Sequence, residues 1–180
     1  MIICIMHVIH NAVEKPDGNY DEVEDMKNIH IIFGDGYGKT ACAMGLAVKA
    51  AAAGETVSII QFLKGKGADY SILNVYDEVN FFTFENSEKT YEDMTPDERG
   101  EHRTKVQNSF QYARKVIETE SADIVILDEV LGLRDYNILD MESLMSLVDI
   151  DSDVKLILTG RNCPEELKSR ASMLSHIEPA

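Results

Sequence analysis

The sequence predicts an α/β fold, a three-layer α/β/α sandwich around a mainly parallel sheet of about six strands. Residues 29–53 run from an apolar, β-branched segment through a glycine-rich loop into an alanine-rich segment, the order strand, loop, helix. Residues 56–63 are predicted to form the next strand, which gives a βαβ unit and therefore a parallel pair. The segment 124–127 is continuously apolar, as strands are when helices cover both faces of the sheet, and residues 154–158 are predicted to form another buried strand.

Composition bounds the class of protein. The chain has 180 residues, of which 44% are hydrophobic and 27% charged, and this suits a globular domain with a substantial core. A formal net charge of −15 argues against a nucleic-acid partner that depends on a broad basic face. No apolar run reaches the length of a membrane span, so no membrane partner is expected. Cys4, Cys42 and Cys163 are far apart, which favours a reducing compartment and a cytoplasmic location.

The N-terminal segment differs in composition from the rest of the chain. Residues 1–25 are expected to be an appendage to a nucleotide-binding domain over 26–180. An apolar decapeptide is followed by an acidic stretch over 14–25 that contains Pro and Gly and is predicted to be loop or disorder. A translation start at Met26 would leave the domain intact, so both Met1 and Met26 stay open as the true start.

The remaining elements follow from local signals. A short helix is predicted over 68–76 and a short strand over 79–84. A capping box from Thr95 to Glu98 opens a helix whose apolar stripe is Val106, Phe110, Ala113 and Ile117. Further predicted elements are a helix from Asp140 to Val148, a helix from Pro164 to about Arg170, and a final strand over 173–177.

The glycine-rich loop, Gly34-Asp35-Gly36-Tyr37-Gly38-Lys39-Thr40, has the features of a phosphate-binding loop. Its backbone N–H groups can point at a polyphosphate, and the helix that follows adds its positive end. Lys39 adds a mobile charge, and the Thr40 hydroxyl can hold Mg²⁺. The usual G-x-x-x-x-G-K-[ST] pattern has Gly where this chain has Phe33. A glycine turn before a helix can be purely structural, but the register favours nucleotide binding.

Polar residues follow two of the apolar strands. Asp128 and Glu129 come directly after the 124–127 strand, the arrangement of a Walker B element. One of the two would hold Mg²⁺ directly or through water, although such a pair can also be a solvated turn. Arg161 follows the 154–158 strand, and its planar fork suits a phosphate oxygen. A surface arginine that caps a turn fits the spacing equally well.

Four elements together resemble the ATP:corrinoid adenosyltransferases of the P-loop type. They are the loop over 33–40, the element Gln61-Phe62-Leu63-Lys64-Gly65, the segment 125–129 and the segment 158–164. The phosphate loop of that family also lacks the first Walker glycine. The resemblance, which runs from about Lys27 to the end of the chain, implies a RecA-like fold. In that fold the 154–158 strand lies between the Walker B strand and the phosphate-loop strand.

The resemblance implies transfer of the 5′-deoxyadenosyl group of ATP to the cobalt of a reduced corrinoid, cob(I)alamin or a precursor, with release of triphosphate. It gives catalytic roles to Lys39, Thr40, Glu129 and Arg161, and a site for Mg²⁺ (or Mn²⁺) at Thr40, Asp128 and Glu129. A homodimer and a flavoprotein or other reductase that supplies cob(I) are also implied. The residues expected to contact ATP or the corrinoid are Gly34, Asp35, Gly36, Tyr37, Gly38, Lys39, Thr40, Phe62, Lys64, Phe82, Phe84, Arg161 and Asn162.

The sequence departs from the family where the corrinoid is expected. Family members often have Phe-x-Trp there, whereas this chain has Phe82-Thr83-Phe84 and no Trp. Alternation places Phe82 and Phe84 on one face of their strand, either buried in the core or lining a corrinoid site. Two other functions stay open. One is a P-loop ATPase or small-molecule kinase in which Glu129 positions water or an acceptor, and the other is a non-catalytic nucleotide- or corrinoid-binding relative.

Overall fold

The computed structural model of the chain describes residues 28–63, 70–83, 89 and 91–179, and the backbone of residues 5–10. The strands are β1 (Ile5–His10), β2 (Ile29–Phe33), β3 (Val57–Gln61), β4 (Val79–Thr83), β5 (Ile124–Asp128), β6 (Lys155–Gly160) and β7 (Met173–Glu178). The α-helices are α1 (Lys39–Ala52), α2 (Pro96–Glu118), α3 (Met141–Val148) and α4 (Glu165–Lys168). Short 3₁₀ helices span Ser71–Val75, Tyr91–Asp93 and Val130–Leu133.

The described strands form one sheet in the order β1-β7-β2-β6-β5-β3-β4. From β7 to β4 every neighbouring pair is parallel, and β1 alone pairs antiparallel. The predicted parallel sheet is therefore confirmed. The expected strand order is also confirmed, because β6 lies between the phosphate-loop strand β2 and β5, which carries the acidic pair.

Hydrophobic cores lie on both faces of the sheet, because successive residues of a strand point to opposite faces. Along β5, Val125 and Leu127 join one core, whereas Ile124 and Ile126 join the other. The first core is closed by α2 and α3 and the second by α1, whose buried residues include Ala43 and Ala47. Continuously apolar strands between two helical layers are what the sequence predicted for this fold class.

Local signals placed the starts of α2 and α3 correctly. The Thr95 Oγ accepts the N–H of Glu98 at 3.3 Å, and the Glu98 carboxylate accepts the N–H of Thr95 at 2.8 Å. The Asp140 carboxylate accepts the N–H of Ser143 at 2.7 Å at the start of α3. The predicted stripe of α2 is buried. Two helices differ from their predictions, since α4 already ends at Lys168 and the segment after Tyr70 forms only a 3₁₀ helix.

Strand β1 was not predicted. Residues 5–10, which the sequence analysis assigned to an appendage, pair with β7 from Ile5 opposite Glu178 to His10 opposite Met173. This pairing satisfies backbone groups that β7 would otherwise present at the edge of the sheet. The rest of the proposed appendage lies outside the described residues.

The carboxyl ends of β2, β3, β5 and β6 meet at one edge of the sheet, as parallel strands require. The register places Phe33 beside Gly160, and Gln61 beside Asp128. The phosphate loop, the acidic pair and Arg161 therefore leave the sheet at the same edge. None of the helices in the described part of the chain has the length and apolar character needed to cross a bilayer.

Candidate functional site

The phosphate loop runs against the end of the C-terminal strand. Gly34 has φ +118°, and a Cβ built on it would lie 2.3 Å from the carbonyl oxygen of Ile177. A Cβ on Gly36 would lie 2.7 Å from the carbonyl oxygen of Glu178, and the N–H of Gly36 donates to the carbonyl of Ile177 at 2.9 Å. These contacts explain why glycine occupies positions 34 and 36 in this loop.

Phe33 occupies the position of the first Walker glycine, and its side chain packs against neighbouring residues. Its ring stacks on His176 of β7 with centroids 4.6 Å apart and planes inclined by 13°. The Lys168 ammonium lies 5.3 Å from the centre of the same ring. The departure from the usual pattern thus fastens the start of the loop to β7 and α4.

The start of α1 combines the Lys39 ammonium with an open helix N-terminus. The Lys39 Nζ donates to the carbonyl oxygens of Gly34 at 2.7 Å and Gly36 at 2.9 Å, so its ammonium lies over the loop. Gly38 is the N-cap of α1, and no described side chain caps the helix there. The first N–H groups of α1 therefore remain available to an anion, together with the positive end of the helix dipole.

The Asp128 carboxylate accepts hydrogen bonds from three side chains. The Thr40 Oγ1 donates to its Oδ1 at 3.0 Å and lies 3.2 Å from its Oδ2. The Thr159 Oγ1 donates to Oδ1 at 2.7 Å, and the Gln61 Nε2 donates to Oδ2 at 2.8 Å. Asp128 is only 2% exposed. Donors from α1, β3 and β6 therefore fix this carboxylate from three sides.

Glu129 begins a bend directly after β5. Its backbone is left-handed, with φ +59°, and its N–H donates to the Thr159 Oγ1 at 2.8 Å. Burial raises the pKa of the Glu129 carboxyl, and the neighbouring Asp128 raises it further, while Lys39 and Arg161 act in the opposite direction. The Thr159 hydroxyl thus contacts both members of the acidic pair.

Arg161 lies beside the phosphate loop. Its carbonyl oxygen accepts the N–H of Gly34 at 2.9 Å, which ties the end of β6 to the start of the loop. The next residue, Asn162, has its Nδ2 3.4 Å from the Asp135 Oδ2 and is held toward the segment after β5. The loop and the residues after β5 and β6 therefore form one connected unit.

These elements surround a cavity of about 870 Å³. Predicted site residues that line it are Asp35, Gly36, Tyr37, Gly38, Lys39, Thr40, Phe62, Asp128, Glu129 and Arg161. A further part of the lining, which the sequence analysis missed, is formed by Tyr70, Tyr91, Glu92, Asp135 and Tyr136. There the Tyr136 hydroxyl donates to the Glu92 carboxylate, and this hydrogen bond raises the pKa of Tyr136 to about 12.

Some predicted site residues lie elsewhere. Gly34, Asn162 and Phe82 are not among the residues that line the cavity. Phe82 packs edge-on against Tyr112 of α2, with ring centroids 4.8 Å apart, and is half-buried beside the core under that helix. Lys64 and Phe84 lie outside the described residues.

Two polar residues in the site were missed by sequence reasoning. Gln61 and Thr159 sit near the ends of strands that are otherwise apolar, and both are buried. A buried polar side chain requires a hydrogen-bond partner, and here the partner is Asp128 in each case. Their position at the carboxyl ends of buried strands was the available signal.

The oxygen ligands at this edge suit a hard cation. No group of three or more His, Cys, Asp or Glu side chains within the described residues could hold a metal by itself. The Thr40 hydroxyl and the carboxylates of Asp128 and Glu129 are the few oxygen ligands that Mg²⁺ takes when phosphates and water complete its shell. The Gln61 Oε1 is also buried there with no described partner. These residues therefore fit a nucleotide-bound divalent cation.

A strand, a glycine loop with Lys and Thr, a helix, and an acidic pair at the end of a neighbouring parallel strand define a P-loop nucleotide-binding protein. Residues 25–180 match the family described as ATP:corrinoid adenosyltransferase BtuR/CobO/CobP. The chain belongs to this family.

Curated relatives carry the same description. The chain is 27% identical over 176 residues to the corrinoid adenosyltransferase of Escherichia coli (strain K12), covering 92% of this chain and 84% of the relative. It is 24% identical over 176 residues to corrinoid adenosyltransferase CobA of Salmonella typhimurium, with the same coverage. A corrinoid adenosyltransferase from Sinorhizobium sp is 25% identical over 162 residues, covering 86% of this chain and 73% of that protein.

Proposed function

We propose that this protein transfers the 5′-deoxyadenosyl group of ATP to the cobalt of a reduced corrinoid, cob(I)alamin or a precursor, and releases triphosphate. Family membership gives the reaction. The observation that carries the proposal is one cavity in which Lys39, the open N-terminus of α1 and Arg161 lie with Asp128 and Glu129. Such a site suits a polyphosphate that gains negative charge during the reaction.

The proposed reaction forms one bond and breaks one bond, and no side chain of the protein takes part covalently. The electron pair of cob(I) attacks C5′ of ATP, so a cobalt–carbon bond forms as the C5′–oxygen bond breaks. The electron pair of the broken bond leaves on triphosphate. Lys39, Arg161 and the N–H groups of α1 stabilise this charge, and they stabilise it more as it grows. No side-chain nucleophile or proton donor is required.

Lys39 can serve the nucleotide without leaving the loop. An ammonium has three donors, and the carbonyls of Gly34 and Gly36 take two of them. The third donor is available to a phosphate oxygen. Binding of triphosphate thus adds one charge-assisted hydrogen bond to an arrangement that is already in place.

A divalent cation, Mg²⁺ or Mn²⁺, would neutralise further charge on the triphosphate when bound. We assign it to Thr40 and Glu129, with Asp128 acting through water. The Thr40 proton is donated to Asp128, which leaves the lone pairs of the hydroxyl for the cation. Asp128 already accepts from Thr40, Thr159 and Gln61, so its oxygens are largely occupied. Glu129 also lines the cavity, so its carboxylate can reach a cation bound with the nucleotide.

The proposed corrinoid contacts come from the family resemblance. We keep Phe82 and Phe84 as corrinoid candidates because the family resemblance places a Phe-x-Trp element near the corrinoid, and we keep Lys64 and Asn162 as candidates for contact with ATP or the corrinoid. Phe82 packs on Tyr112 instead of lining the phosphate cavity, so a corrinoid at Phe82 would lie beyond the triphosphate site. A homodimer, a reductase that supplies cob(I) and a cytoplasmic location complete the proposal, and they too come from the resemblance and the spaced cysteines.

Product analysis tests this function against a P-loop ATPase or kinase. The protein is incubated without oxygen with ATP, Mg²⁺ and a chemically reduced corrinoid, and the nucleotide and corrinoid products are identified by mass. We expect triphosphate and adenosylated corrinoid in equal amounts, and neither without corrinoid. ADP and phosphate formed in the absence of corrinoid would indicate an ATPase. ATP binding with no product would indicate a non-catalytic relative.

A further inference from the structure

We propose that Gln61 is a positioning residue that links the Asp128 carboxylate to a water molecule held by the cation of the nucleotide complex. The inference rests on the proposed function, because the cation enters the site with ATP. Gln61 lies outside both the phosphate loop and the acidic pair, so neither motif assigns it a role.

Chemistry fixes which way the Gln61 amide points. Its nitrogen, Nε2, lies 2.8 Å from the Asp128 Oδ2. An ionised carboxylate can only accept hydrogen bonds, so the NH₂ end of the amide must face Asp128 and the oxygen must face away. The parallel pairing of β3 with β5 sets Gln61 directly beside Asp128, which makes this geometry a property of the sheet.

The other end of the amide has no partner among the described residues. Gln61 is 7% exposed, and its Oε1 is buried without a hydrogen bond. A buried acceptor left unpaired is costly and uncommon, so a donor is expected when the site is filled. Gln61 also lines the cavity that holds the phosphate loop, so this donor can come from the cavity.

A cation-bound water is the donor that fits best. The carboxylate held by Gln61 also accepts from Thr40, one of the proposed cation ligands, so the amide lies next to the cation site. A cation makes the hydrogens of its bound water stronger donors, and Mg²⁺ keeps several waters in proteins. Gln61 would then act on the cation from both ends, through Asp128 and through water.

The test measures cation binding and not only activity. Binding of Mn²⁺ to the protein–ATP complex is followed by the paramagnetic signal of free Mn²⁺, with protein in excess over ATP so that little unbound ATP remains to chelate the cation, and ATP binding is measured separately with EDTA. Gln61→Met keeps the size of the side chain and removes both polar ends. Gln61→Asn keeps the amide but is too short to reach both partners. Ser58→Ala is the control, since Ser58 is buried on the opposite face of the same strand.

We expect both Gln61 variants to bind Mn²⁺ about 10–100-fold more weakly, the range seen when partners of metal ligands are removed. In EDTA, both Gln61 variants should bind ATP with wild-type affinity. The control Ser58→Ala should bind both ATP and Mn²⁺ with wild-type affinity. Mn²⁺ affinity within threefold of wild type in both variants would overturn the inference, as would an equal loss of ATP affinity in EDTA. Wild-type protein that binds ATP but no Mn²⁺ would overturn the cation site itself. Release of triphosphate by wild-type protein is scored separately and tests the proposed function alone.

Discussion

Replacing Gly34 with alanine should destabilise the nucleotide-free protein through two separate effects. At φ +118° an L-residue is strained, which costs about 1–3 kcal/mol. The added Cβ would also lie 2.3 Å from the Ile177 carbonyl oxygen and 2.7 Å from the His176 ring, so β7 must shift. Overpacking of this kind costs about 1–3 kcal/mol. The sum, about 2–6 kcal/mol, corresponds to a melting temperature at least about 4 °C lower for a chain of this size.

Two other glycines separate the effects. Gly38 has φ +107° but open space where its Cβ would lie, so Gly38→Ala should show the strain alone, about 1–3 kcal/mol. Gly45 lies within α1, also with open space, so Gly45→Ala should stabilise the protein by about 0.5–1 kcal/mol. Thermal and urea unfolding of the three variants without nucleotide gives the comparison. If Gly34→Ala unfolds at the same midpoint as Gly38→Ala, the contact with β7 is not what requires glycine, and our reasoning fails.

The further predictions concern charged residues of the site and the edge of the sheet. Lys39→Ala should remain folded and lose ATP binding in calorimetry, and unchanged affinity would make the loop structural only. Glu129→Gln should weaken Mg²⁺ dependence of ATP binding more than Asp128→Asn; equal, negligible effects would remove both from the site. The pKa of Glu129 is higher in the folded state than in the unfolded state, so ionisation of this carboxyl at pH 7 destabilises the folded protein. Glu129→Gln should therefore raise the melting temperature at pH 7. That gain should vanish as the pH falls below the ordinary pKa of a glutamate, about 4.3. Deleting residues 1–25 removes β1 and should lower the melting temperature, whereas an unchanged value would support a simple appendage.

Sequence alone predicted the parts of the fold that local patterns specify. The strand, loop and helix over 29–53 and the caps at Thr95 and Asp140 depend on neighbouring residues, which the sequence displays directly. The place of β6 between β2 and β5 came from the family resemblance, because strand order depends on long-range packing. The pairing of β1 with β7 joins the two ends of the chain, and no local signal specified it.

The candidate site divides in the same way. The phosphate loop and the pair Asp128-Glu129 lie in compact motifs, so their types and spacing were sufficient to find them. Gln61 and Thr159 gain their roles from strand register and hydrogen bonds to Asp128 across the sheet. The part of the lining that contains Tyr91 and Tyr136 is built from segments far apart in sequence. Such residues become visible only when the fold brings them together.

The contact between the phosphate loop and β7 has a consequence for how ligand binding is transmitted. The Gly36 N–H is held by the carbonyl of Ile177, and β7 in turn holds β1 on its other edge. A ligand that binds only the folded loop stabilises everything on which that loop depends. Nucleotide should therefore slow amide hydrogen exchange in β7 and β1 as well as in the loop. Local opening at this edge of the sheet would then be an indirect measure of occupancy at the phosphate site.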